Sequence, residues 1–326
     1  MTATSTRAPA EFERERRVAV VLPCYNEQVT IAGVVADFRA ALPTADIYVF
    51  DNNSDDDTAR VAAGAGAIVV ASPRRGKGNV VRHMFEFVEA DIYVMADGDG
   101  TYPAHMAREL IRVLEDSNAD MVVGTRLKAH RPGSFRRLHE FGNRLIARVI
   151  SVLFSASLTD VLSGYRVFDG YFVRALHLRS SGFEIETEMT LQALVRDGVI
   201  KEVPIPYGER PEGSHSKLNT FSDGALVFKA VFLIFKDYKP LMFFSCVSAV
   251  CFVLGLVAGW YPIGDYVKTR YVSHVPLALL AAVLEVLAVL FLGIGLILNA
   301  ITKFHVENQE LIGNLYRRVG NGRKQR

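Results

Sequence analysis

Two aspartates separated by one glycine are the residues of this sequence best suited to chemistry. Asp97 and Asp99 follow the apolar run DIYVMA, and Gly98 and Gly100 permit a sharp turn and the close approach of a ligand. Carboxylate oxygens are the ligands that Mg²⁺ or Mn²⁺ prefers, and such a metal would neutralise a departing diphosphate. A solvated acidic turn is the alternative interpretation. The motifs around the two aspartates distinguish it from a metal site.

A basic turn flanked by glycines is the second candidate. Arg75 and Lys77 lie in the stretch RRGKG, which opens a predicted helix. Their charge and the helix N-terminus favour an anion there, with a solvated basic turn as the alternative. Asp51 ends another apolar run, where its carboxylate can accept hydrogen bonds from a nucleobase or a ribose. Asp55 and Asp57 are predicted to cap the following helix.

Apolar runs that alternate with helical periods predict the scaffold that positions these residues. Five runs have the length and continuous apolar character of buried strands. They span residues 18–23, 46–51, 67–71, 91–97 and 120–124. Strand–helix alternation of this kind predicts an α/β fold with a mostly parallel sheet covered on both faces. Because ligands bind such sheets at the carboxyl ends of the strands, the candidate residues are expected to share one edge.

The chain after Pro240 is far more apolar than the part before it. Residues 241–260 carry no charge, and residues 275–300 form a second apolar run interrupted only by Glu285. At about 1.5 Å rise per residue, each run crosses a hydrocarbon layer of roughly 30 Å. Joined by the short segment 261–274, they predict a membrane hairpin, with buried helices of a soluble core as the alternative. Glu285 is expected either to make a helix–helix contact or to be protonated.

Basic residues flank the predicted hairpin unevenly. The connecting loop contains only Lys268 and Arg270, whereas many more lie before the first span and after the second. These are Lys229, Lys236, Lys239, Lys303, Arg317, Arg318, Arg323, Lys324 and Arg326. Cytoplasmic loops carry an excess of lysine and arginine. We therefore expect a protein of the cytoplasmic membrane with two spans, whose catalytic domain and C-terminus are cytoplasmic.

These patterns divide the chain into five predicted parts. They are a flexible N-terminal lead (1–17), a catalytic domain (18–221), an amphipathic juxtamembrane helix (222–239), two transmembrane helices (240–301, with spans 241–260 and 275–300) and a basic cytoplasmic tail (302–326). An ordinary core helix is the alternative for the juxtamembrane part. Residues 135–158 also combine basic and apolar side chains, which suits a surface near anionic lipid headgroups.

The composition excludes several classes of protein. The net charge of +2 gives no signature of a nucleic-acid partner. The three cysteines, Cys24, Cys246 and Cys251, have neither metal-ligand spacing nor the pattern of a disulfide framework. Residues 1–17 lack the apolar core of a signal peptide. A reduced, cytosol-facing domain fits these observations.

The successive motifs VVLPCYNE, DNNSDDDT, RGKG and DGDGTYP resemble those of the family 2 inverting glycosyltransferases, which have a GT-A fold. VLSGYR (161–166) and RPEGSHSKL (210–218), followed by a hairpin, resemble the polyprenyl-phosphate branch, which includes dolichol-phosphate mannose synthase and bactoprenol glucosyltransferases. The resemblance covers residues 18 to 300 and rests on the ordered set of motifs. It implies a Rossmann-like GT-A domain, an interfacial helix and a membrane hairpin. The DGDG sequence departs from the DADL or DADG of many relatives and does not identify the sugar.

The resemblance implies a role for each residue that matches a family motif. Asp97 and Asp99 bind the Mg²⁺ or Mn²⁺ ion and the donor diphosphate, and Asp99 also counts among the catalytic residues. Arg210 and Lys217 close over the diphosphate from a mobile loop, and Arg126 lies near a donor or acceptor phosphate. The nucleotide-sugar site comprises Pro23, Tyr25, Glu27, Asp51, Lys77, Asp97, Gly98 and Asp99.

The implied reaction moves a hexose from a UDP- or GDP-sugar to polyprenyl phosphate. A phosphate oxygen is already anionic at neutral pH, so positioning and charge stabilisation could carry most of the rate. A hydroxyl acceptor on a glycolipid or glycan, the alternative, would need a base. Asp160 is the candidate for a base or an acceptor-positioning group, with a structural turn residue as the alternative. Candidates for the acceptor phosphate, some of which could equally face lipid headgroups, are Arg126, Arg136, Arg137, Ser163 and Arg166.

Further expectations concern an acidic stretch and the partners. Glu184, Glu186 and Glu188 alternate in FEIETEM, and at least one is expected to face the site. The expected partners are the nucleotide-sugar donor, polyprenyl phosphate, the bilayer and, as an open alternative, a second copy of the chain. A catalytically idle scaffold and a nucleotidyltransferase are the competing classes. The intact acidic and basic motifs oppose the first, and the hairpin opposes the second.

Overall fold

The computed structural model describes residues 16–126, 134–182, 184–206, 208, 232–233 and 235–323. Within these ranges, the side chains of residues 134–141, 305–306 and 309–323 are outside the description. The chain forms two compact units. The first comprises Met1–Ala129, Ser163–Glu186 and Val199–His215, and the second comprises His130–Leu162, Thr187–Gly198 and Ser216–Arg326.

A seven-stranded sheet organises the first unit. Its strands are β1 Val18–Cys24, β2 Asp46–Asp51, β3 Ile68–Ala71, β4 Ile92–Met95, β5 Met121–Thr125, β6 Arg166–Asp169 and β7 Ile200–Pro204. Their spatial order is β3-β2-β1-β4-β6-β5-β7. Strand β6 is antiparallel to β4 and β5, while the other paired strands are parallel. The predicted α/β fold with a mostly parallel sheet is thereby confirmed.

Nine helices have both ends within the described part of the chain, besides a short 3₁₀ turn at Ala104–Met106. They are α1 Ile31–Ala41, α2 Thr58–Gly64, α3 Lys77–Phe87, α4 Ala107–Asp116, α5 Ser134–Phe154, α6 Gly170–Ala175, α7 Ile185–Val195, α8 Pro240–Thr269 and α9 Val275–Arg323. Helix α1 shows how sequence determines packing. Four apolar residues of α1 recur at helical spacing: Ile31, Val34, Val35 and Phe38. All four are buried in the core that also contains Val20 of β1.

Two long apolar helices, α8 and α9, dominate the second unit. Both are long and apolar enough to cross a membrane, and only 6% of the most apolar window of each is buried within the structure. A core helix of a soluble domain would be mostly buried. Helix α8 continues to Thr269 instead of ending at 260, so the expected loop shortens to residues 270–274. Arg270 ends the helix in the left-handed conformation (φ 58°).

The two helices are in close contact at small residues. A Cβ atom placed on Gly255 of α8 would lie 2.6 Å from Glu285 Oε1 of α9, and one on Gly259 would lie 3.6 Å from the Ala281 methyl group. Glu285 therefore makes the helix–helix contact that was one of its two expected roles. Its Oε1 atom is buried and has no hydrogen-bond partner among the described residues.

Candidate active site

The turns after β1 and β2 form the first part of the site. The two strands end side by side because Cys24 is paired with Asp51 in the parallel register. The Glu27 amide donates a hydrogen bond to Thr58 Oγ1 at 2.8 Å, which ties one turn to the other. The Ser54 amide donates to Asp51 Oδ1 at 3.3 Å. The half-buried Asp51 carboxylate is thus held at the carboxyl edge of the sheet.

Tyr25 lies in a polar cluster at the same edge. Its hydroxyl donates to Asp55 Oδ2 at 3.1 Å. The guanidinium of Arg75 lies 4.4 Å from the centre of the Tyr25 ring and donates to the same hydroxyl. Asp57 occupies the predicted N-cap position of α2, but its side chain makes no capping hydrogen bond, and the first amide of the helix donates to Asp56 Oδ1 at 3.0 Å. Asp55 is instead engaged by the tyrosine.

Lys77 connects two carboxylates at the centre of the site. Its Nζ atom lies 2.7 Å from Asp97 Oδ1 and 2.6 Å from Glu186 Oε1. The side chain of Glu186 is 3% exposed, that of Lys77 13% and that of Asp97 28%. Glu186 is therefore the member of the FEIETEM stretch that faces this cluster. Asp97 is its most accessible member.

The electrostatics of this cluster keep Lys77 charged. Burial by itself lowers the pKa of the ammonium group, since a low dielectric disfavours the charged form. The negative charges of Asp97 and then Glu186, with their hydrogen bonds, outweigh burial and hold the Lys77 pKa well above its ordinary range. A fixed cation of this kind is suited to a phosphate or diphosphate.

Two glycines bring Glu186 within reach of Lys77. A Cβ atom on Gly76 would lie 2.4 Å from the Ser181 carbonyl oxygen, and one on Gly78 would lie 2.2 Å from the Ser180 carbonyl oxygen. Both distances are far below a normal contact, so only glycine fits on either side of the lysine. The Gly78 amide also donates to the Ser181 carbonyl at 3.1 Å. The RGKG motif thus allows the chain that leads into α7 to pack against it.

Gly164, in the SGYR motif, lies against the carboxylate of Asp97. A Cβ atom on Gly164 would lie 2.7 Å from Asp97 Oδ2. The Gly164 amide donates to the Tyr102 hydroxyl at 3.0 Å, which fixes the glycine in place. Tyr102 belongs to the DGDGTYP motif but was not among the predicted site residues. The SGYR motif therefore packs against Asp97 and is hydrogen-bonded to the DGDGTYP motif that contains it.

Replacing Gly164 with alanine is expected to displace the Asp97 carboxylate and to reduce transfer by up to about 100-fold, because small misplacements of reacting groups are costly. The cost in stability should be about 1–3 kcal/mol, as for other overpacked sites. Gly33→Ala is the matched control. Gly33 lies in α1 with no atom near its virtual Cβ, so alanine there should preserve activity. Steady-state rates and thermal unfolding of both variants test this, and equal rates would contradict it.

Asp99 lies deeper than Asp97. It is 3% exposed, and its Oδ1 atom accepts hydrogen bonds from the Thr101 amide at 3.1 Å and the Thr101 hydroxyl at 2.6 Å. The buried Gly98 between them has its carbonyl bonded to the Thr30 hydroxyl at 2.7 Å. The Asp97–Asp99 pair supplies carboxylate oxygens of the type that Mg²⁺ and Mn²⁺ prefer, so the residues fit such an ion chemically. Among the described residues no group of three or more His, Cys, Asp or Glu could hold a metal.

Two residues predicted for the acceptor phosphate are placed in the interior instead. Ser163 and Arg166 have no exposed surface. The Ser163 hydroxyl donates to the Gly124 carbonyl at 2.6 Å, and Arg166 Nε donates to the Ser163 carbonyl at 2.9 Å. The first contact joins the segment before β6 to β5, and the second lies within that segment, so the described contacts of both side chains are structural.

The structure describes three of the remaining predicted residues, and the side chains of four others lie outside the described part of the chain. Asp160, in the second unit, is 1% exposed and accepts a hydrogen bond from Asn143 Nδ2 at 2.9 Å. Arg126 is half-buried directly after β5. Pro23 is half-buried in β1. Four predicted residues have side chains outside the described part of the chain: Arg136, Arg137, Arg210 and Lys217.

Known proteins resemble this chain in sequence. The model of the family described as glycosyl transferase family 2 matches residues 19–175. Glycosyltransferase AglJ of Haloferax volcanii is 34% identical over 299 residues, covering 91% of this chain and 98% of that protein. A dolichyl-phosphate hexose transferase of the same organism is 30% identical, covering 66% and 92%. An undecaprenyl-phosphate mannosyltransferase of Micrococcus luteus is 29% identical, covering 66% and 91%.

A solved structure has the same fold. Glucosyl-3-phosphoglycerate synthase from Mycobacterium tuberculosis, in complex with Mn²⁺ and UDP-glucose, matches with a TM-score of 0.55 and 24% identity over 68% of this chain and 78% of that chain. The GT-A-like sheet and the relatives together define an enzyme of the glycosyltransferase class. The chain belongs to glycosyltransferase family 2.

Proposed function

We propose that this protein transfers a hexose from a nucleoside diphosphate sugar to a polyprenyl phosphate, such as undecaprenyl or dolichyl phosphate, at the membrane surface, with inversion at the anomeric carbon. The product would be a lipid-phosphate-linked sugar for envelope or glycan assembly. The observation that carries the proposal is the Asp97–Lys77–Glu186 cluster in a chain that also contains two apolar helices of membrane-spanning length. The names of two relatives, a dolichyl-phosphate hexose transferase and an undecaprenyl-phosphate mannosyltransferase, support the lipid-phosphate acceptor.

The donor occupies the carboxyl edge of the sheet in this proposal. The turns after β1 and β2 hold the nucleoside, with Asp51 accepting hydrogen bonds from the base or ribose and Tyr25 beside it. Lys77 contacts the diphosphate, since its ammonium group is charged and lies at the N-terminus of α3. Arg210 and Lys217 approach the diphosphate from the 210–218 segment.

A divalent cation, Mg²⁺ or Mn²⁺, is part of the proposal. Asp97 and Asp99 would hold it, and when bound it would supply positive charge against the diphosphate leaving group. The accessible Asp97 carboxylate and the chemistry of the carboxylate pair support this assignment. The solved neighbour of the same fold was crystallised with Mn²⁺ and UDP-glucose, which also supports a divalent cation beside the donor.

The acceptor phosphate attacks the anomeric carbon from the face opposite the diphosphate. A bond forms between the phosphate oxygen and that carbon while the bond from the carbon to the diphosphate breaks. Since the attacking oxygen is already anionic, no proton has to be removed, and the chain's task is to orient both phosphates and balance their charge. Arg126 is the described residue that we assign to a phosphate, and Arg136 and Arg137 are further candidates.

The same proposal places the protein in the cytoplasmic membrane. Helices α8 and α9 cross the bilayer as a hairpin, so the catalytic domain and the C-terminal part of α9 lie on one side. The excess of lysine and arginine at the ends of the hairpin supports the cytoplasm as that side. A nucleotide sugar made in the cytoplasm then reaches the donor site directly.

A labelling reaction tests the proposed function. Membranes that contain the protein are incubated with undecaprenyl phosphate, Mg²⁺ or Mn²⁺, and one radiolabelled UDP- or GDP-sugar at a time. We expect one donor to give label in the organic phase, released by mild acid and lost when a chelator removes the metal. Membranes without the protein are the control. No labelled lipid with any donor, together with intact donor binding, would contradict the acceptor that we propose.

A further inference from the structure

A buried thiol lies against the acidic turn formed by residues 97–99. Cys24, the last residue of β1, is 1% exposed and belongs to the hydrophobic core of the first unit. A Cβ atom placed on Gly98 would lie 2.4 Å from Cys24 Sγ. Non-bonded carbon atoms meet at about 3.5–4.0 Å, and sulfur is larger than carbon. The thiol therefore occupies the space that a methyl group on residue 98 would need.

The sulfur atom is the main obstacle to a side chain at position 98. The next nearest atoms among the described residues are Ile31 Cδ1 at 3.5 Å and Cys24 Cβ at 3.6 Å, and both distances are ordinary contacts. The backbone of Gly98 is outside the left-handed region, whereas Gly100 lies in it with φ 74°. Residue 98 is thus restricted to glycine by one neighbouring atom and not by its own backbone conformation.

Hydrogen bonds hold both sides of this contact in place. The Asn52 amide donates to the Cys24 carbonyl at 2.8 Å, and the Thr30 hydroxyl donates to the Gly98 carbonyl at 2.7 Å. The thiol itself donates to the Leu22 carbonyl, with 3.6 Å between sulfur and oxygen. Separating the turn from the end of β1 would break such bonds in a buried region, which is costly.

We propose that Cys24 is a positioning residue for the acidic turn and that Cys24 and Gly98 form a matched pair. The thiol supports the turn at Gly98, so the carboxylates of Asp97 and Asp99, one residue to either side, are held in place. Alanine at position 98 would be short of space by more than about 1 Å and would displace the turn. The proposal rests on the proposed function, since the cation site belongs to it. It also gives a physical reason for the DGDG sequence, which departs from the DADL or DADG of many relatives.

A double-variant cycle tests the matched pair. Gly98→Ala is expected to lower the unfolding temperature by about 2 °C or more, as an overpacked site does. It should also weaken Mn²⁺ binding and reduce sugar transfer by up to about 100-fold, because a displacement of about 1 Å at a reacting centre is costly. Cys24→Ala removes the sulfur, so adding it to Gly98→Ala should recover most of these losses. Contacting residues are expected to show such non-additive effects.

Three readouts are taken on the full-length protein. They are thermal unfolding, the electron paramagnetic resonance signal of free Mn²⁺ with UDP or GDP present, and the rate of sugar transfer. If Gly98→Ala is too unstable to purify, recovery of folded protein in the double variant gives the same result. Cys24→Ala alone measures the cost of the space that the sulfur leaves behind.

Gly100→Ala is the matched control for the glycine substitution. The nearest atoms to its virtual Cβ belong to Thr30, at 3.8 Å, so the cost of this change comes from backbone strain at φ 74°. Adding Cys24→Ala to Gly100→Ala should therefore give no recovery. Equal recovery of the two glycine variants would overturn the specific pairing of Cys24 with Gly98.

The remaining outcomes separate this proposal from the proposed function. No recovery of the unfolding temperature in the Cys24→Ala, Gly98→Ala double variant would overturn the matched pair. A lowered unfolding temperature in Gly98→Ala with unchanged Mn²⁺ binding and transfer would overturn the positioning role and leave the packing of the pair standing. A wild-type protein that binds no Mn²⁺ would overturn the cation of the proposed function and the positioning role with it, while the unfolding cycle would still decide whether the two residues are matched.

Discussion

Replacing Asp97 with asparagine is expected to lower the transfer rate at least about 100-fold, the scale at which preorganised charge contributes to catalysis. Asparagine keeps the shape of the side chain beneath Gly164 but removes the charge that pairs with Lys77 at 2.7 Å. It also removes a carboxylate oxygen from the proposed cation site. The initial rate of sugar transfer, measured over a range of Mg²⁺ or Mn²⁺ concentrations, is the readout.

Asp116→Asn is the matched control for this change. Asp116 is an exposed residue at the end of α4, and its loss should leave the rate and its metal dependence unaltered. A variant Asp97→Asn that folds, binds donor and transfers sugar at the wild-type rate would contradict the assignment of Asp97 to the donor site.

Lys77→Met is expected to abolish detectable transfer and to destabilise the fold. Without the ammonium group, Asp97 and Glu186 keep two like charges with no cation between them, and breaking a buried pair in this way costs about 3 kcal/mol. Glu186→Gln combined with Lys77→Met removes one of the two charges. The double variant should recover much of the stability and none of the activity. Thermal unfolding and transfer rates of both variants separate the two effects.

Lys201→Met controls for the loss of a lysine, because Lys201 is exposed on β7. Activity that returns with stability in the double variant would contradict the role of Lys77 at the diphosphate.

The contribution of Lys77 to the free energy of unfolding depends on pH, and the sign of this dependence follows from its pKa. Because the Lys77 pKa is raised on folding, its stabilising contribution is complete below the unfolded value of about 10.4 and is lost only as the pH rises toward the raised value.

The main strands could be predicted from the sequence because they are continuous apolar runs. Strand β6 could not, since it has only four residues and begins with Arg166. That arginine is buried and donates a hydrogen bond to the Ser163 carbonyl inside the first unit, a contact that no local pattern reveals. Pro262 and the polar residues after it are typical of a loop, so the predicted span ends before them. In the structure, helix α8 continues through Pro262 to Thr269. Propensity is a local signal, and tertiary packing overrides it.

In the candidate site, too, some residues could be predicted from local sequence, while their contacts depend on tertiary packing. Asp97 and Lys77 are recognisable as strand-end and helix-start residues of one sheet edge. Their direct contact, and the choice of Glu186 among three alternating glutamates, depend on how the chain before α7 packs against Gly76 and Gly78. Ser163 was assigned to the acceptor on the strength of its motif, whereas the structure uses its hydroxyl to bond β5. No local pattern in the SGYR motif indicates this buried contact.

The identity of the acceptor is the central claim, and matched acceptors test it most directly. The protein is reconstituted in vesicles that contain either undecaprenyl phosphate or undecaprenol, with the labelled donor and the metal that support transfer. These acceptors differ only in the phosphate group. The proposed function predicts labelled lipid with undecaprenyl phosphate and none with undecaprenol. Equal labelling of both lipids, or labelling of undecaprenol alone, would contradict it and would assign the enzyme to a hydroxyl acceptor.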